Sequence, residues 1–269
     1  MNTDRYRFKL GNFECLAILD NVWDDAPAEM IFPNASHSDL QNENIDPEKI
    51  STTNICLAVN TGTSWVIVDT GQGFNYEGAN FWRILDEENI QPRQIILTHP
   101  DVDHYGGLLS KDMMTVFPDT PVYLCRDAWE TFTSESFYEI SNRSIMSREH
   151  LLLLEEQVKL VDCDAEILPG FSMIPLPGHT PHHVGIEVES NGEKLVFASD
   201  VVIHPLHIKH LDWHFQWDED HEIARESRVK LAKMASDSGC LVLAFHFDFP
   251  GLGHIIQDGE GWRWQPLAI

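Results

Sequence analysis

The sequence points to an α/β fold with a layered core. Short β-rich runs alternate with segments of helical apolar spacing in both halves of the chain. Its 269 residues, 43% of them hydrophobic, are ample for a buried interior. No linker rich in Gly, Ser or Pro, no low-complexity tract and no repeat interrupts it, so residues 1–269 are read as one domain.

In chain order, Tyr6 to Leu19 alternate enough to form one or two strands. Val22 to Lys49 is rich in Asp, Asn, Pro and Glu and lacks periodicity. It is expected to be a long loop over the site or at the surface, with Trp23, Met30, Ile31 and Phe32 as apolar anchors. Asn54–Asn60 and Ser64–Asp69 read as a hairpin joined by Thr61-Gly62-Thr63. Asn80 to Glu88 spaces Phe81, Ile84 and Leu85 as a helix does, and Ile95-Ile96-Leu97 reads as a buried strand. A helix is expected to begin at Gly106-Gly107-Leu108-Leu109, a strand at Val122–Cys125 and a helix over Glu149–Val158. The second half continues with strands near Ser172–Leu176, Val184–Val188 and Leu195–Ala198, a helix over Glu219–Ser236 and a strand at Leu241–Phe245.

Forty-three acidic side chains against 18 basic ones give a net charge of −25. That balance excludes nucleic acid and anionic membrane as partners, because both need Lys and Arg. The first twenty residues carry scattered charge and no apolar core of a signal peptide, and no stretch approaches the ~18 apolar residues of a membrane helix. Cys15, Cys56, Cys125, Cys163 and Cys240 are odd in number, far apart and free of C-x-x-C. They read as buried thiols in a reducing compartment, so a cytoplasmic protein is expected.

Chemistry concentrates in Leu97-Thr98-His99-Pro100-Asp101-Val102-Asp103-His104-Tyr105-Gly106-Gly107. Four metal-ligating side chains fall within six residues directly after an apolar strand, whereas a lone His-x-Asp would be an ordinary loop hydrogen bond. His179 in Pro177-Gly178-His179-Thr180-Pro181, Asp200 after Phe197-Ala198-Ser199, and His246 between Phe245 and Phe247 each follow a further expected strand. Strand ends in layered α/β folds converge, so together they supply the His/Asp set of a two-metal site. No G-x-S-x-G elbow, G-x-G-x-x-G turn or P-loop lysine is present, so no nucleotide cofactor is indicated and none of the cysteines is marked as a nucleophile.

From about residue 53 onward the chain resembles the metallo-β-lactamase-fold superfamily, through the H-x-H-x-D-H-like segment, the Asp69-Thr70-Gly71 motif and Pro177-Gly178-His179-Thr180-Pro181. The segment from Ala244 to His254, with Trp262-Arg263-Trp264-Gln265-Pro266, is similar to the branch containing methyl-parathion hydrolases and some lactonases. The resemblance implies an αββα four-layer sandwich and two divalent metals, zinc first among them. His99, Asp101 and His179 would hold one metal, Asp103, His104 and His246 the other, with Asp200 bridging. A hydroxide between the metals would be the nucleophile, and Asp103 and Asp200 would be the catalytic carboxylates.

One position departs from that pattern, because Asp101 stands where the superfamily has its second histidine. Two divalent ions and one hydroxide would then balance against Asp101, Asp103 and Asp200 to a neutral cluster, where a histidine would leave one positive charge. The expected result is a weaker Lewis acid tilted towards manganese or iron, or else an impaired first site. The expected function is metal-dependent hydrolysis of an ester-like bond (lactone, carboxylic ester or phosphotriester) in a small-molecule substrate, with a homodimer compatible. Diiron chemistry on oxygen or nitric oxide is the alternative, since a carboxylate stands at this position in the flavo-diiron branch, and a lapsed metal-binding module is a third. His204, His207, His210 and His214, set among Trp213, Phe215 and Trp217, either line the pocket or pack in the core. His183 is expected behind the ligands, and His254 in a turn or at the rim. The segments expected over the metals are Val22–Lys49, Glu130–His150 and His204–Asp220.

Overall fold

Strands form where alternating or continuous apolar runs can bury one or both faces of a sheet. The computed structural model describes residues 4–73, 76–141 and 143–268. β1 (Arg5–Leu10), β2 (Phe13–Ala26), β3 (Ile50–Asn60), β4 (Trp65–Val68), β5 (Pro92–Ile96), β6 (Val122–Cys125) and β7 (Val158–Val161) lie side by side in chain order in one sheet. β8 (Glu166–Leu168), β9 (Phe171–Pro175), β10 (Val184–Ser190), β11 (Glu193–Phe197), β12 (Leu241–Leu243), β13 (Leu252–Asp258) and β14 (Gly261–Pro266) do the same in a second. β4 through β7 are mutually parallel, as are β11 and β12, and the other neighbours are antiparallel.

The helices are α1 (Ala28–Ile31), α2 (His37–Asn42), α3 (Phe81–Glu87), α4 (Val102–Tyr105), α5 (Arg126–Thr133), α6 (Glu135–Tyr138), α7 (Met146–Leu152), α8 (Leu206–Lys209) and α9 (His221–Ser238). A continuous core joins the two sheets, with Leu16, Ile18, Ile55 and Leu57 of the first and Phe171, Val184, Ile186 and Phe197 of the second. Each such fully buried side chain contributes about 1.5–3 kcal/mol. Phe81, Ile84, Ala128, Phe132 and Leu151 cover the first sheet from α3, α5 and α7. Leu231, Ala232 and Ala235 of α9 pack on Val196, Val242 and Ile255 of the second. The result is the αββα sandwich. The Asp220 carboxylate caps α9 by accepting from the Glu222 and Ile223 N–H groups, and left-handed Gly239 (φ 65°) ends it. Among the described residues no helix is long and apolar enough to cross a membrane.

Several boundaries differ from the sequence reading. β2 continues to Ala26 through two irregularities, between Leu19 and Asn21 and between Trp23 and Ala26, which break the period of two. The rest of Val22–Lys49 holds α1 and α2 over a small core of Ile31, Phe32, Leu40, Trp213 and Phe215. The helix expected from Gly106 begins instead at Val102 and closes in a 3-10 turn at Gly106–Leu108. Where a helix was expected over Glu149–Val158, α7 ends at Leu152 and Val158 opens β7. His254 is a strand residue of β13, its Nδ1 3.0 Å from the Cys240 carbonyl oxygen, and not part of a turn.

The cysteine reading is also corrected. Cys125, at the end of β6, forms a disulfide with Cys163, just past the neighbouring strand β7, with their Cα atoms 4.8 Å apart. Parallel pairing sets Cys125 beside Val161, two residues before Cys163, and so brings together cysteines 38 apart in sequence, a proximity that spacing alone does not reveal. Only Cys15, Cys56 and Cys240 are free and buried, so cysteine usage no longer argues for a reducing compartment.

Candidate metal centre

The seven predicted ligands all lie just beyond strands: His99, Asp101, Asp103 and His104 beyond β5, His179 beyond β9, Asp200 beyond β11 and His246 beyond β12. They gather into two groups, each with its ligand atoms within 4.8 Å of one another. In the first, Asp101 Oδ2 lies 3.2 Å from His179 Nε2 and 3.5 Å from His99 Nε2. In the second, Asp200 stands between His104 and His246, with Oδ1 and Oδ2 each 3.1 Å from an Nε2, and Asp103 Oδ2 lies 3.6 Å from His104. Asp200 Oδ2 is also 3.5 Å from His179 Nε2, so this carboxylate faces both groups.

The imidazoles are oriented from behind. His104 donates its Nδ1–H to Asp69 Oδ2 at 2.7 Å, and His246 donates its own to the Thr53 carbonyl at 2.8 Å. Asp69 is itself left-handed (φ 56°) and is fixed there by accepting from the Thr98 N–H and hydroxyl. On the other side, His179 Nδ1 lies 3.4 Å from Asp218 Oδ1, and Asp218 accepts from Arg228, a fully buried guanidinium that also donates to the Val201 and Trp213 carbonyls. Gly178 (φ 126°) lets this loop touch α9, since a Cβ there would lie 2.1 Å from the Ala224 nitrogen. His183 Nε2 accepts from the Asp200 N–H and its Nδ1 donates to the Leu176 carbonyl, which places it behind the ligands as expected.

With Nδ1 engaged, Nε2 is the atom each ring presents to a ligand. His99 Nε2 and His104 Nε2 are buried without a hydrogen-bond partner. These orphaned nitrogens, with carboxylates beside them, fit two divalent cations. Electrostatics agree. Burial pulls His104 down, but Asp200, Asp103 and Asp69 more than offset it and hold the ring well above its ordinary pKa. Burial likewise opposes protonation of His179, yet Asp101 and Asp218 raise it to about 9. A cage of carboxylates this deeply buried calls for positive charge, which metal ions supply in place of those protons.

Sequence reasoning missed Arg143, in the loop after α6. Its Nε and Nη2 donate to Asp101 Oδ1 and Oδ2, each at 2.7 Å, and its Nη1 donates to Glu219. Nη2 also lies 3.3 Å from the His179 carbonyl oxygen, and the guanidinium carbon sits 5.8 Å from the centre of the Phe132 ring. Burial pushes the Asp101 carboxyl up, but the Arg143 guanidinium and the neighbouring His179 and His99 imidazoles hold it well below the usual carboxylate range. No local spacing marks a lone arginine 42 residues downstream as the partner of a ligand.

Both groups floor a cleft of about 440 Å³. Asp101, Asp103, His179, Asp200 and His246 line its base, and Val22, Trp23, Met30, Ile31, Phe215 and Trp217 are among its wall residues. Trp23 and Trp217 are exposed at 39% and 47%, enough to serve as a greasy rim. Segments Val22–Lys49 and His204–Asp220 thus supply the walls, while Arg143 from Glu130–His150 lines an adjoining cleft. The histidines near Trp213 are structural. His204 packs edge-on against Phe32, His207 donates to the Ile31 carbonyl, His210 stacks on Trp213, and His214 stacks on His221.

The profile of the metallo-beta-lactamase superfamily matches residues 52–246. The chain belongs to this superfamily. A hydroxyacylglutathione hydrolase of Hamiltonella defensa subsp. Acyrthosiphon pisum (strain 5AT) is 28% identical over 130 residues, covering 48% of this chain and 41% of the relative. An N-acyl homoserine lactonase of Bacillus sp is 26% identical over 167 residues, covering 52% and 61%. The chain thus spans roughly half the length of these superfamily relatives. The solved structure of AidC, a dizinc quorum-quenching lactonase with a bound product, superposes with a TM-score of 0.90 at 22% identity over 98% of each chain, which establishes the shared fold.

Proposed function

We propose that this protein is a metal-dependent hydrolase that opens an ester-like bond in a small molecule, with lactones ahead of carboxylic esters and phosphotriesters. The observation that carries this reading is the shared floor: two ligand groups joined by Asp200 at the base of an apolar-walled cleft. His99, Asp101 and His179 would hold one cation, Asp103, His104 and His246 the other, and Asp200 both. Such ions supply Lewis acidity towards the carbonyl or phosphoryl oxygen and make a water acidic enough to attack at neutral pH.

The chain's own residues do the rest. Asp103 lines the floor with its side chain 20% exposed, where it can take a proton from the attacking water and return it to the leaving oxygen. Asp69 and Asp218 keep Nε2 of His104 and of His179 aimed at the floor. Trp23, Ile31, Phe215 and Trp217 hold the apolar part of the substrate away from water. The similarity to an N-acyl homoserine lactonase supports placing cyclic esters first.

The test is a panel of lactone, carboxylic ester, thioester and phosphotriester substrates assayed with protein purified without chelators, alongside its metal content. Turnover that disappears on chelation and in Asp200→Asn supports the reading. A protein carrying two zinc or manganese ions that turns over nothing in the panel overturns it. Two iron ions with oxygen consumption would replace it with redox chemistry.

A further inference from the structure

A histidine in place of Asp101 would offer the first ligand group one lone pair and no charge, whereas Asp101 offers a full negative charge and two oxygens. Both oxygens are already held by the Arg143 fork. The pair as a whole is therefore uncharged, and Oδ2, the oxygen turned towards His179 and His99, is shared with Nη2. The guanidinium is anchored independently of Asp101 by Glu219 and the His179 carbonyl, and its side chain is only 12% exposed. A guanidinium keeps its charge at any working pH, so it repels an ion entering beside it. The second group differs: among the described residues, no Lys or Arg is paired with Asp103, His104, Asp200 or His246.

We propose that Arg143 is the resident cation of the first ligand group, so that a divalent ion fills Asp103, His104, Asp200 and His246 first and enters His99, Asp101 and His179 only as Nη2 releases Asp101 Oδ2. The contacts make this release local. Nε can stay on Oδ1 and Nη1 on Glu219 while Oδ2 turns from hydrogen-bond acceptor to ligand. Arg143 then remains beside the bound ion and cancels the extra charge that Asp101 brings. This rests on the two-metal reading above.

The test is titration of chelator-treated full-length protein with Zn²⁺ in competition with a chromogenic chelator, and with Co²⁺, whose visible absorption reports the ligands filled at each step. Two well-separated steps are expected in the parent. In Arg143→Gln the second step should tighten by about tenfold or more, because the like charge beside the entering ion is gone, with the first within about threefold of the parent. Arg143→Lys retains the charge and should leave the second step weak. Asp101→His, which strips Arg143 of its fork partner, should weaken the second step, and adding Arg143→Gln should restore it. An unchanged or weakened second step in Arg143→Gln, with melting temperature and Co²⁺ spectrum of the first step preserved, overturns the proposal. Two equal steps in the parent overturn it and leave the two-metal reading intact. No binding of either ion, in any of these proteins, overturns both.

Discussion

His104 and His179 are both aimed by carboxylates, but the two supports are built differently. Behind His104, Asp69 sits at the end of β4, next to β5, whose continuation supplies Thr98 and the ligand loop. Support and ligand thus come from adjacent parallel strands, and the 2.7 Å contact is tight. Behind His179, Asp218 comes from a loop 39 residues away and is fixed by Arg228 on α9, at 3.4 Å from the ring. The first sheet therefore supplies a support as rigid as its strands, while the second depends on a loop docking correctly against a helix.

The largest expected effect removes what both sides share. Asp200→Asn should lower turnover on the order of 10³-fold and reduce the metal held per chain, measured by steady-state assay and elemental analysis. Next, Asp218→Asn leaves the buried Arg228 guanidinium without its counter-charge. A loss of about 3 kcal/mol is expected in urea unfolding, with β4, β5 and the His104 side undisturbed by NMR. If stability is unchanged, the ion pair is not what fixes the loop.

Asp69→Asn should act in the opposite way, costing about 10–100-fold in metal affinity with less effect on stability, since the Thr98 donors keep an acceptor. Equal stability losses in Asp69→Asn and Asp218→Asn would erase the distinction between the two supports. The smallest effect concerns acid. Burial pulls His204, in the second-half loop, down to about 4, below the ~6.5 of an unfolded histidine. The unfolded chain takes up the proton first, so this contribution to stability is complete above about pH 6.5 and is lost as pH falls towards 4. His204→Asn should reduce the stability lost between pH 7 and pH 5 by about 1 kcal/mol, read from urea midpoints at both values.

The ligands and the elements of the layered fold were legible in different degrees. Ile95-Ile96-Leu97 announces a buried strand, and any His or Asp directly after it is carried to the sheet's end, so His99 and His104 could be placed from sequence. β7, β8, β13 and β14 escaped notice because they are partly exposed and carry mixed composition, as in Trp262-Arg263-Trp264-Gln265. β2 was cut short because its irregularities shift the alternation that marks a strand.

Local order along the chain thus fixed which side chains leave the strand ends, because backbone periodicity and turn chemistry act over a few residues. Folding in three dimensions settled who stands behind or beside them. Arg143 meets Asp101, Asp218 meets His179 and Cys125 meets Cys163 across separations of 42, 39 and 38 residues. Such partners are chosen by the packing of distant loops and strands, where a single charged or sulfur-bearing side chain leaves no periodic trace in the sequence. That is why the sequence showed Asp101 only as a ligand that neutralises the cluster, while in the folded protein it is also one half of an ion pair.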